Sequence, residues 1–412
     1  MDTTKQRTNS TSGRPLPKVR QALVLILALG TAVALRAQSA DEPQVATYHL
    51  LYSFHGPDGC YPVAGPLVQD ASGNLYGTTD SGGAFGYGTV FKVTPGGTEA
   101  VRHSFAGPPS DGQYPEYASL TRDAAGNVYG TTPQAGEFGY GVVFKVTATG
   151  TESVLYNFTG GTDGRYPYGG LVRDSAGNLY GTTSNGGAFG AGVVFKLNPS
   201  GTESVLHNFK YSSTDGGYPY SKLIRDSAGN LYGTTESGGA FFAGTAFKVT
   251  PSGSVMLLHS FKGYPVDGAY PLSGGLTRDT SGNLYGVTPN GGRTGDGIVF
   301  KLTTTLTESV LFNFNGGNSG GYPDGELAED AAGNLYGTTV YGGSGVGCPY
   351  AGCGLLFELS AGKEIVLHNF TPSSTDGAYP YGGVLRDSSG SLYGVLEGAG
   401  AYGFGAVFKD TP

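Results

Sequence analysis

The stretch Gly177-Asn178-Leu179-Tyr180-Gly181-Thr182-Thr183 recurs in near-identical form seven times along the chain. The copies place their tyrosine at Tyr76, Tyr129, Tyr180, Tyr232, Tyr285, Tyr336 and Tyr393. The spacings between these tyrosines are 53, 51, 52, 53, 51 and 57 residues. A fixed period of this size is typical of stacked supersecondary units, so the stretch divides most of the chain into equivalent segments.

Each period contains four short segments with the composition of β-strands. In the third copy they are residues 170–173, 178–183, 192–197 and 203–209. These segments are rich in β-branched, leucine and aromatic residues, and Gly, Pro, Asp, Asn or Ser bound them. Outside the hydrophobic leader, no segment shows a sustained 3.6-residue apolar period. The sequence therefore predicts an all-β protein.

Seven units of four antiparallel strands predict a seven-bladed β-propeller, in which each blade buries both faces against its neighbours. Residues 47–54 match the fourth strand of other units, whereas the strand at 407–410 matches the third. The seventh unit therefore lacks an outer strand that the N-terminal segment can supply. We predict that residues 47–54 pair with the strand around 407–410, completing the last blade and closing the ring.

The N-terminal residues 1–37 have the pattern of an export signal. Basic residues precede the uncharged run 22–35, and small residues follow it. This run of 14 residues is short for a membrane-spanning helix, which needs about 20. An uncleaved anchor is the alternative. We predict a signal peptide (1–37), a linker (38–46), a propeller (47–412) without a further membrane span, and a secreted location: extracellular, cell surface or periplasm.

Charge excludes one class of partner. Removal of residues 1–37 takes away six basic residues and one acidic residue, which leaves 18 Lys and Arg against 31 Asp and Glu, a net charge of −13. Such a surface repels phosphate backbones, so we expect no nucleic-acid partner. We also expect a monomer that needs no cofactor.

The three cysteines predict one disulfide. Cys348 and Cys353 lie in the insertion that lengthens the last interval, and an oxidising compartment favours a local disulfide at this spacing. A metal site is the alternative, but it lacks further Cys or a nearby His. We expect Cys60 to be unpaired, unless it captures one of the other two.

The recurring pattern Asp-x-x-Gly-Asn-Leu-Tyr-Gly-Thr-Thr, then Gly-Gly, then Gly-x-Val-Phe-Lys resembles the Gloeo_Verruco (GloVer) tandem repeat. The motif is nearly intact at residues 123–132, 174–183 and 226–235, and the resemblance covers residues 47–412. It implies a bacterial origin, export, a propeller-like repeat and often a C-terminal surface anchor. This sequence ends Val-Phe-Lys-Asp-Thr-Pro without a hydrophobic tail. The resemblance implies no activity and no catalytic residues.

Residues that repeat in every unit are interpreted as structural. Phenylalanines such as Phe195 and Phe209 hold fixed positions in the third and fourth strands, as expected for a core between blades. His103, His207, His259 and His368 alternate with Tyr or Phe two residues before that fourth-strand phenylalanine, so we interpret them as packing residues and predict no metal site. The repeated Asp-Gly-x-Tyr-Pro either caps a loop and wedges neighbouring blades, or forms a ring that contacts calcium or carbohydrate.

A specific ligand is expected where the copies diverge. The residue before the first strand's Leu or Val differs between units, and it is Lys222 in the fourth and Glu326 in the sixth. We predict that these residues face one pocket at the channel mouth. The candidate ligand-binding residues are Glu116, Tyr117, Arg165, Lys222, Asp324 and Glu326. Solvated charges at the rim are the alternative.

Two functions are compatible with these sequence features. The first is a non-catalytic binding or scaffold module that recognises a glycan or a cell-surface protein. The second is a polysaccharide lyase or glycoside hydrolase, which needs paired carboxylates such as Glu326 with Asp324 or Glu116. No G-x-S-x-G or H-E-x-x-H motif occurs. We therefore assign no catalytic residue and favour the binding function.

Overall fold

The repeated stretch forms the second strand of each sheet, and its glycine makes room for an aromatic ring. In the third sheet Gly181 lies directly opposite Phe195. A Cβ atom on Gly181 would lie 2.7 Å from the ring of Phe195, which is fully buried. The same glycine–phenylalanine opposition recurs in all seven sheets. A glycine inside a strand, normally unfavourable, is here required by close packing.

The computed structural model describes residues 47–63, 65–117, 119–348 and 352–412. The predicted signal peptide (1–37) and linker (38–46) lie outside these residues. The described part of the chain forms seven four-stranded antiparallel sheets, here called blades 1 to 7 in chain order. Four two-stranded ribbons accompany blades 2, 4, 5 and 7.

From first to fourth strand, the blades comprise Val68–Gln69, Leu75–Thr79, Thr89–Val93 and Glu99–Ser104 (blade 1); Thr121–Arg122, Val128–Thr132, Val142–Val146 and Glu152–Asn157 (blade 2); Val172–Arg173, Leu179–Thr183, Val193–Leu197 and Glu203–Asn208 (blade 3); Ile224–Arg225, Leu231–Thr235, Thr245–Val249 and Val255–Ser260 (blade 4); Leu276–Arg278, Leu284–Thr288, Ile298–Leu302 and Glu308–Asn313 (blade 5); Ala328–Glu329, Leu335–Thr339, Leu355–Ser360 and Lys363–Asn369 (blade 6); Leu385–Arg386, Leu392–Leu396, Ala406–Thr411 and Thr47–Ser53 (blade 7). The ribbons are Gly112–Gln113 with Gln134–Ala135, Gly216–Gly217 with Ser237–Gly238, Gly268–Ala269 with Asn290–Gly291, and Gly377–Ala378 with Gly398–Ala399.

The N-terminal strand closes the ring. Thr47–Ser53 pairs antiparallel with Ala406–Thr411, so that Thr47 lies opposite Thr411 and Ser53 opposite Ala406. The prediction of an all-β, seven-bladed propeller closed by an N-terminal strand is therefore confirmed. Because the outer strand of blade 7 precedes blade 1 in the chain, the two ends of the ring are joined by strand pairing, with one irregularity between Leu50 and Tyr52.

Buried phenylalanines connect each blade to the next. Phe54, at the end of the outer strand of blade 7, packs edge-on against Phe91 of blade 1 with ring centroids 5.0 Å apart. Phe158 and Phe195 make the same contact between blades 2 and 3, at 5.2 Å. Aromatic rings bury on the order of 150–250 Å² each, so these pairs supply much of the apolar burial between blades.

An aspartate closes the first hairpin of each blade. In blade 3, Asp174 accepts hydrogen bonds from the backbone and side-chain nitrogens of Asn178 and from the Tyr180 hydroxyl, at 2.8–3.0 Å. Burial opposes ionisation of Asp174, but these donors outweigh it and lower the pKa of this carboxyl below its ordinary value. The Asp, Asn and Tyr of the repeated motif therefore act together as a hairpin clamp.

The tyrosine of each Asp-Gly-x-Tyr-Pro loop joins two blades. The φ angles lie between 50° and 60° in Tyr61, Tyr114, Tyr166, Tyr218, Tyr270, Tyr322 and Tyr379. In this left-handed conformation, the Tyr218 nitrogen donates to the Ala191 carbonyl of blade 3, and its carbonyl accepts from Glu236 of blade 4. The wedge interpretation of this motif is therefore supported, since the strained backbone is held by both neighbours.

The cysteines fall into a pair and a single thiol. Cys348 and Cys353 form a disulfide with Cα atoms 5.4 Å apart. Cys60 is buried as a free thiol. Across the described residues, no helix is long and apolar enough to cross a membrane.

Half-buried glutamates on the outer strands predict an unusual pH dependence. Burial, reinforced by the nearby charge of Asp163, raises the pKa of Glu203 to about 7 from an ordinary 4.5. The pKa of Glu99, which lies beside Asp58, is also raised to about 7, chiefly by burial. The pKa of Glu364 is raised to about 7 by burial. The folded protein therefore binds protons more tightly at these sites than the unfolded chain does. We expect the free energy of unfolding to fall as the pH rises from 5 to 8.

Urea unfolding at pH 5 and pH 8 measures this trend. The hairpin aspartates do not interfere in this range, because their lowered pKa values place their titration below it. The matched variant Glu203→Gln cannot ionise, so it should lose less stability between the two pH values than the unmodified protein. If both proteins lost the same free energy of unfolding between pH 5 and pH 8, the raised pKa of Glu203 would be contradicted.

Candidate binding site at the channel mouth

Two sets of loops meet on one face of the propeller. The loop before the first strand of blade 4 pairs with the segment after the second strand, where Gly216 lies opposite Gly238. Blades 2, 5 and 7 contain equivalent ribbons. The residue after each Tyr-Pro and the residue after each second strand therefore lie near each other. We call this region the channel mouth.

Two cavities lie along the central channel. The wider one, about 490 Å³, is lined by first-strand residues of blades 1, 2, 4, 6 and 7, which places it on the propeller axis. Lys222 and Glu326 both line it, together with Arg122 and Arg386. The smaller cavity, about 200 Å³, is lined by Tyr117, Tyr220, Glu236, Leu272, Ser273 and Asp324 of blades 2, 4, 5 and 6.

The six residues selected from the sequence are thus distributed over four places. Lys222 and Glu326 both line the wide cavity, and Tyr117 and Asp324 both line the small one. Glu116 directly precedes Tyr117 and lies near the carboxyl of Asp80. Arg165 is instead paired through its backbone with Asn185, and its guanidinium lies 5.4 Å from the Tyr166 ring. Among the described residues, Arg165 lines neither channel cavity.

Asp324 is the most deeply buried carboxyl of the small cavity, with 3% of its surface exposed. Its Oδ1 accepts a hydrogen bond from the Ser273 backbone nitrogen at 3.3 Å. Burial dominates and raises the pKa of Asp324 to about 7, although the contacts with Ser273 oppose this shift. Burial, followed by the charges of Asp324 and Glu116, also raises the pKa of the Tyr117 hydroxyl. Near neutral pH, this pair offers both a donor and an acceptor.

A second group of carboxyls converges from blades 1, 2 and 7. Burial, reinforced by the nearby charges of Glu116 and Glu397, raises the pKa of Asp80 to about 7. The Asp80 Oδ1 atom is buried without a hydrogen-bond partner among the described residues. Burial also raises the pKa of Glu116 and of Glu397. Asp80 therefore carries less than full negative charge near neutrality.

Tyrosine rings link the two groups of carboxyls. The ring centroids of Tyr117 and Tyr168 are 6.3 Å apart, and those of Tyr168 and Tyr220 are 5.2 Å apart. Burial raises the pKa of Tyr168 to about 12, with a contribution from Glu116. Burial also raises the pKa of Tyr381, next to Tyr341, Glu397 and Tyr117. The aromatic surface is therefore continuous across several blades.

We name this set the channel-mouth cluster, and it comprises Asp80, Glu116, Tyr117, Tyr168, Tyr220, Glu236, Asp324, Tyr381 and Glu397. It contains five acids and four tyrosines. Sequence reasoning missed Asp80, Glu236 and Glu397, which immediately follow a second strand. The seven residues at that position are Asp80, Pro133, Ser184, Glu236, Pro289, Val340 and Glu397. The same divergence criterion, applied to this second position, would have identified them.

The fold and the site define a class of protein, namely a seven-bladed β-propeller with an acidic, tyrosine-rich cluster at one mouth of its channel. The family model of the Gloeobacter/Verrucomicrobia repeat matches residues 40–241 and 220–412, and the chain therefore belongs to this family. The resemblance stated from the repeat motif is confirmed. No curated protein matches the sequence.

Solved structures share the fold at low sequence identity. One is the extracellular domain of a protein named as a hybrid two-component system from B. thetaiotaomicron (TM-score 0.54, 13% identity, covering 89% of this chain and 41% of that one). The extracellular domain of a protein named as a one-component system from the same organism gives a TM-score of 0.51, also at 13% identity and with the same coverage. This chain thus spans well under half of either protein. A protein named as a 6-phosphogluconolactonase from Bacteroides uniformis matches with a TM-score of 0.50 and 16% identity over 78% of this chain and 88% of that one.

Proposed function

We propose that this protein is an exported, non-catalytic binding protein that holds a neutral glycan at the channel-mouth cluster. The observation that carries the proposal is the convergence of tyrosine rings with carboxyls whose pKa values lie near neutrality. The rest of the repeat supports it by elimination. The tyrosines of Tyr-Pro and the phenylalanines of the strands hold blades together, which leaves the divergent positions free for a ligand.

Sugars need both apolar and polar contacts, and the cluster supplies both. The C–H face of a pyranose packs on aromatic rings, and Tyr117, Tyr168 and Tyr220 offer such rings in succession. Hydroxyl groups of sugars donate and accept hydrogen bonds. Asp80 and Asp324, with pKa values of about 7, can do the same. A neutral polyol therefore matches the cluster in both respects.

Charge narrows the ligand class further. The cluster contains five acids and no basic residue, so it disfavours phosphorylated or carboxylated sugars. The two solved extracellular domains show that this fold occurs outside the cell in bacterial proteins. Together with the export pattern of residues 1–37, they support a location where glycans are accessible.

Binding to immobilised neutral and acidic oligosaccharides tests the proposal, followed by calorimetry with the oligosaccharide retained. We expect Tyr168→Ala to weaken binding at least about tenfold, equivalent to about 1.4 kcal/mol. Asp324→Asn should also weaken it. Tyr264→Ala is the matched control, because Tyr264 is 66% exposed and does not belong to the cluster.

Lys222 and Glu326 provide a second comparison. The double variant Lys222→Ala/Glu326→Ala removes two of the charges that line the wide cavity and should leave glycan binding unchanged. Loss of binding in this variant, with retention in Tyr168→Ala, would place the ligand in the wide cavity and contradict the proposal.

One observation favours a second candidate function, a glycoside hydrolase or polysaccharide lyase. Asp80 and Glu116 are neighbouring half-buried carboxyls with raised pKa values, and such pairs serve acid–base catalysis. A reducing-sugar and unsaturated-product assay on the retained oligosaccharide separates the two functions. Turnover that is lost in Asp80→Asn supports the enzyme, whereas retention without turnover supports the binding protein.

A further inference from the structure

The outer strands carry a repeated glutamate with an unsatisfied oxygen. It lies six residues before the core phenylalanine of the fourth strand in blades 1, 2, 3, 5 and 6, as Glu99, Glu152, Glu203, Glu308 and Glu364. In all five, the Oε1 atom is buried without a hydrogen-bond partner. The equivalent residue is Val255 in blade 4 and Tyr48 in blade 7. Such a regular set of unpartnered carboxylate atoms requires a physical explanation.

In blades 2 and 5 the glutamate faces an aspartate and a histidine of the preceding outer strand. Between blades 1 and 2, His103 Nε2 lies 2.9 Å from Asp111 Oδ2, and Glu152 lies beside them. Between blades 4 and 5, His259 Nε2 lies 2.8 Å from Asp267 Oδ2, with Glu308 beside them. In each group one nitrogen and two carboxylate oxygens lie within 4.8 Å of one another.

The aspartate of each group is held rigidly by the backbone. Asp111 is 5% exposed and accepts hydrogen bonds from the Ala106 and Gly112 nitrogens at 2.8 and 2.6 Å. Asp267 is 3% exposed and accepts equivalent bonds from the Lys262 and Gly268 nitrogens at 3.1 and 2.6 Å. Donors of this kind orient a carboxylate ligand and fix the oxygen that it presents.

We propose that these two groups are divalent transition-metal sites, each of which joins the outer strands of neighbouring blades. One imidazole and two carboxylates form a ligand set that suits Zn²⁺. The unpartnered glutamate oxygen is the third ligand, and the cation offsets the cost of burying it. Small outward movements of the His and Asp side chains admit the ion between them. Water completes the coordination.

The remaining interfaces are natural controls, because each lacks at least one ligand. His207 and Asp215 face Val255 instead of a glutamate. Asp163 and Glu203 face Tyr156 instead of a histidine.

The sequence predicts no metal site when the four histidines are compared only with one another. The approach of an aspartate and a glutamate from other strands to two of them becomes visible only in the folded chain.

Equilibrium dialysis of the chelator-treated protein against Zn²⁺ tests the proposal. We expect two zinc ions per chain, one in His103→Ala or His259→Ala, and none in the double variant. His207→Ala is the matched control and should retain two. Because a histidine variant can also lose packing, Glu152→Gln and Glu308→Gln test the same sites with less change in shape. Zinc should raise the melting temperature of the unmodified protein in a concentration-dependent manner.

Two outcomes would overturn the proposal. Folded, unmodified protein that binds no zinc shows that the glutamates are simply protonated. Zinc that remains bound at two ions per chain in the double histidine variant shows that the sites lie elsewhere.

Discussion

Replacement of Gly192 by alanine is expected to destabilise the protein by about 3 kcal/mol or more, since it combines backbone strain with overpacking. Gly192 has a φ of +95°, and a Cβ atom there would lie 2.2 Å from the Thr183 carbonyl oxygen. It would also lie 2.8 Å from Cδ of Pro219, which belongs to the loop leading into blade 4. The clash therefore occurs where blades 3 and 4 meet, and backbone atoms cannot move aside cheaply.

Gly190 is the matched control for this experiment. It has a φ of +79° in the same loop, but a Cβ atom there has no neighbour within 4 Å. Gly190→Ala should therefore cost only the left-handed backbone strain, roughly 1–2 kcal/mol. Urea unfolding of both variants separates strain from packing. Equal losses of stability would show that Gly192 is not needed for the docking of blades.

The period and the strand composition determine most of this fold at the level of sequence. The predicted second strand of the third repeat, 178–183, is observed as Leu179–Thr183. The prediction of the first strand is the least accurate, since residues 170–173 were predicted and only Val172–Arg173 forms a strand. Near the axis the blades converge, and a Cβ atom on Gly170 would lie 2.5 Å from the Ser119 carbonyl of the neighbouring blade. Contact between blades therefore replaces strand pairing there.

The site was only partly accessible to sequence reasoning, because its members come from distant repeats. Divergence before the first strand selected Lys222 and Glu326, and Tyr117 and Asp324, chosen as residues near them, line one cavity. It did not identify Asp80 or Glu397, and the approach of Glu397 to Asp80 depends on the closure of the ring between blades 7 and 1. Arg165 was selected by its place in a loop, but its backbone pairs with Asn185 away from both cavities. The strand period can be recognised in the local sequence, whereas the direction in which a loop presents its side chains depends on contacts with other parts of the chain.

Removal of residues 47–54 is expected to abolish cooperative folding of the ring. Phe54 is fully buried against Phe91, and loss of a buried phenylalanine side chain alone costs about 3–5 kcal/mol. The deletion also removes the strand that pairs with Ala406–Thr411 and leaves that edge exposed. Because small proteins have only about 5–15 kcal/mol of stability in total, the combined loss should leave little folded protein. The loss of the thermal transition, followed by circular dichroism, measures this effect.

Addition of a peptide with the sequence of residues 47–54 distinguishes loss of ring closure from a nonspecific effect of shortening the chain. If the outer strand of blade 7 stabilises the ring by filling a preformed groove, the peptide should restore a cooperative transition in a concentration-dependent manner. A peptide in which Phe54 is replaced by alanine should restore less. The exposed His49 supplies the point control, and His49→Ala in the whole chain should leave the transition unchanged. An unaltered melting temperature in the deletion variant would show that the seven blades hold together without a closed ring. The contact between blades 7 and 1 that brings Glu397 close to Asp80 at the channel mouth would then no longer be supported.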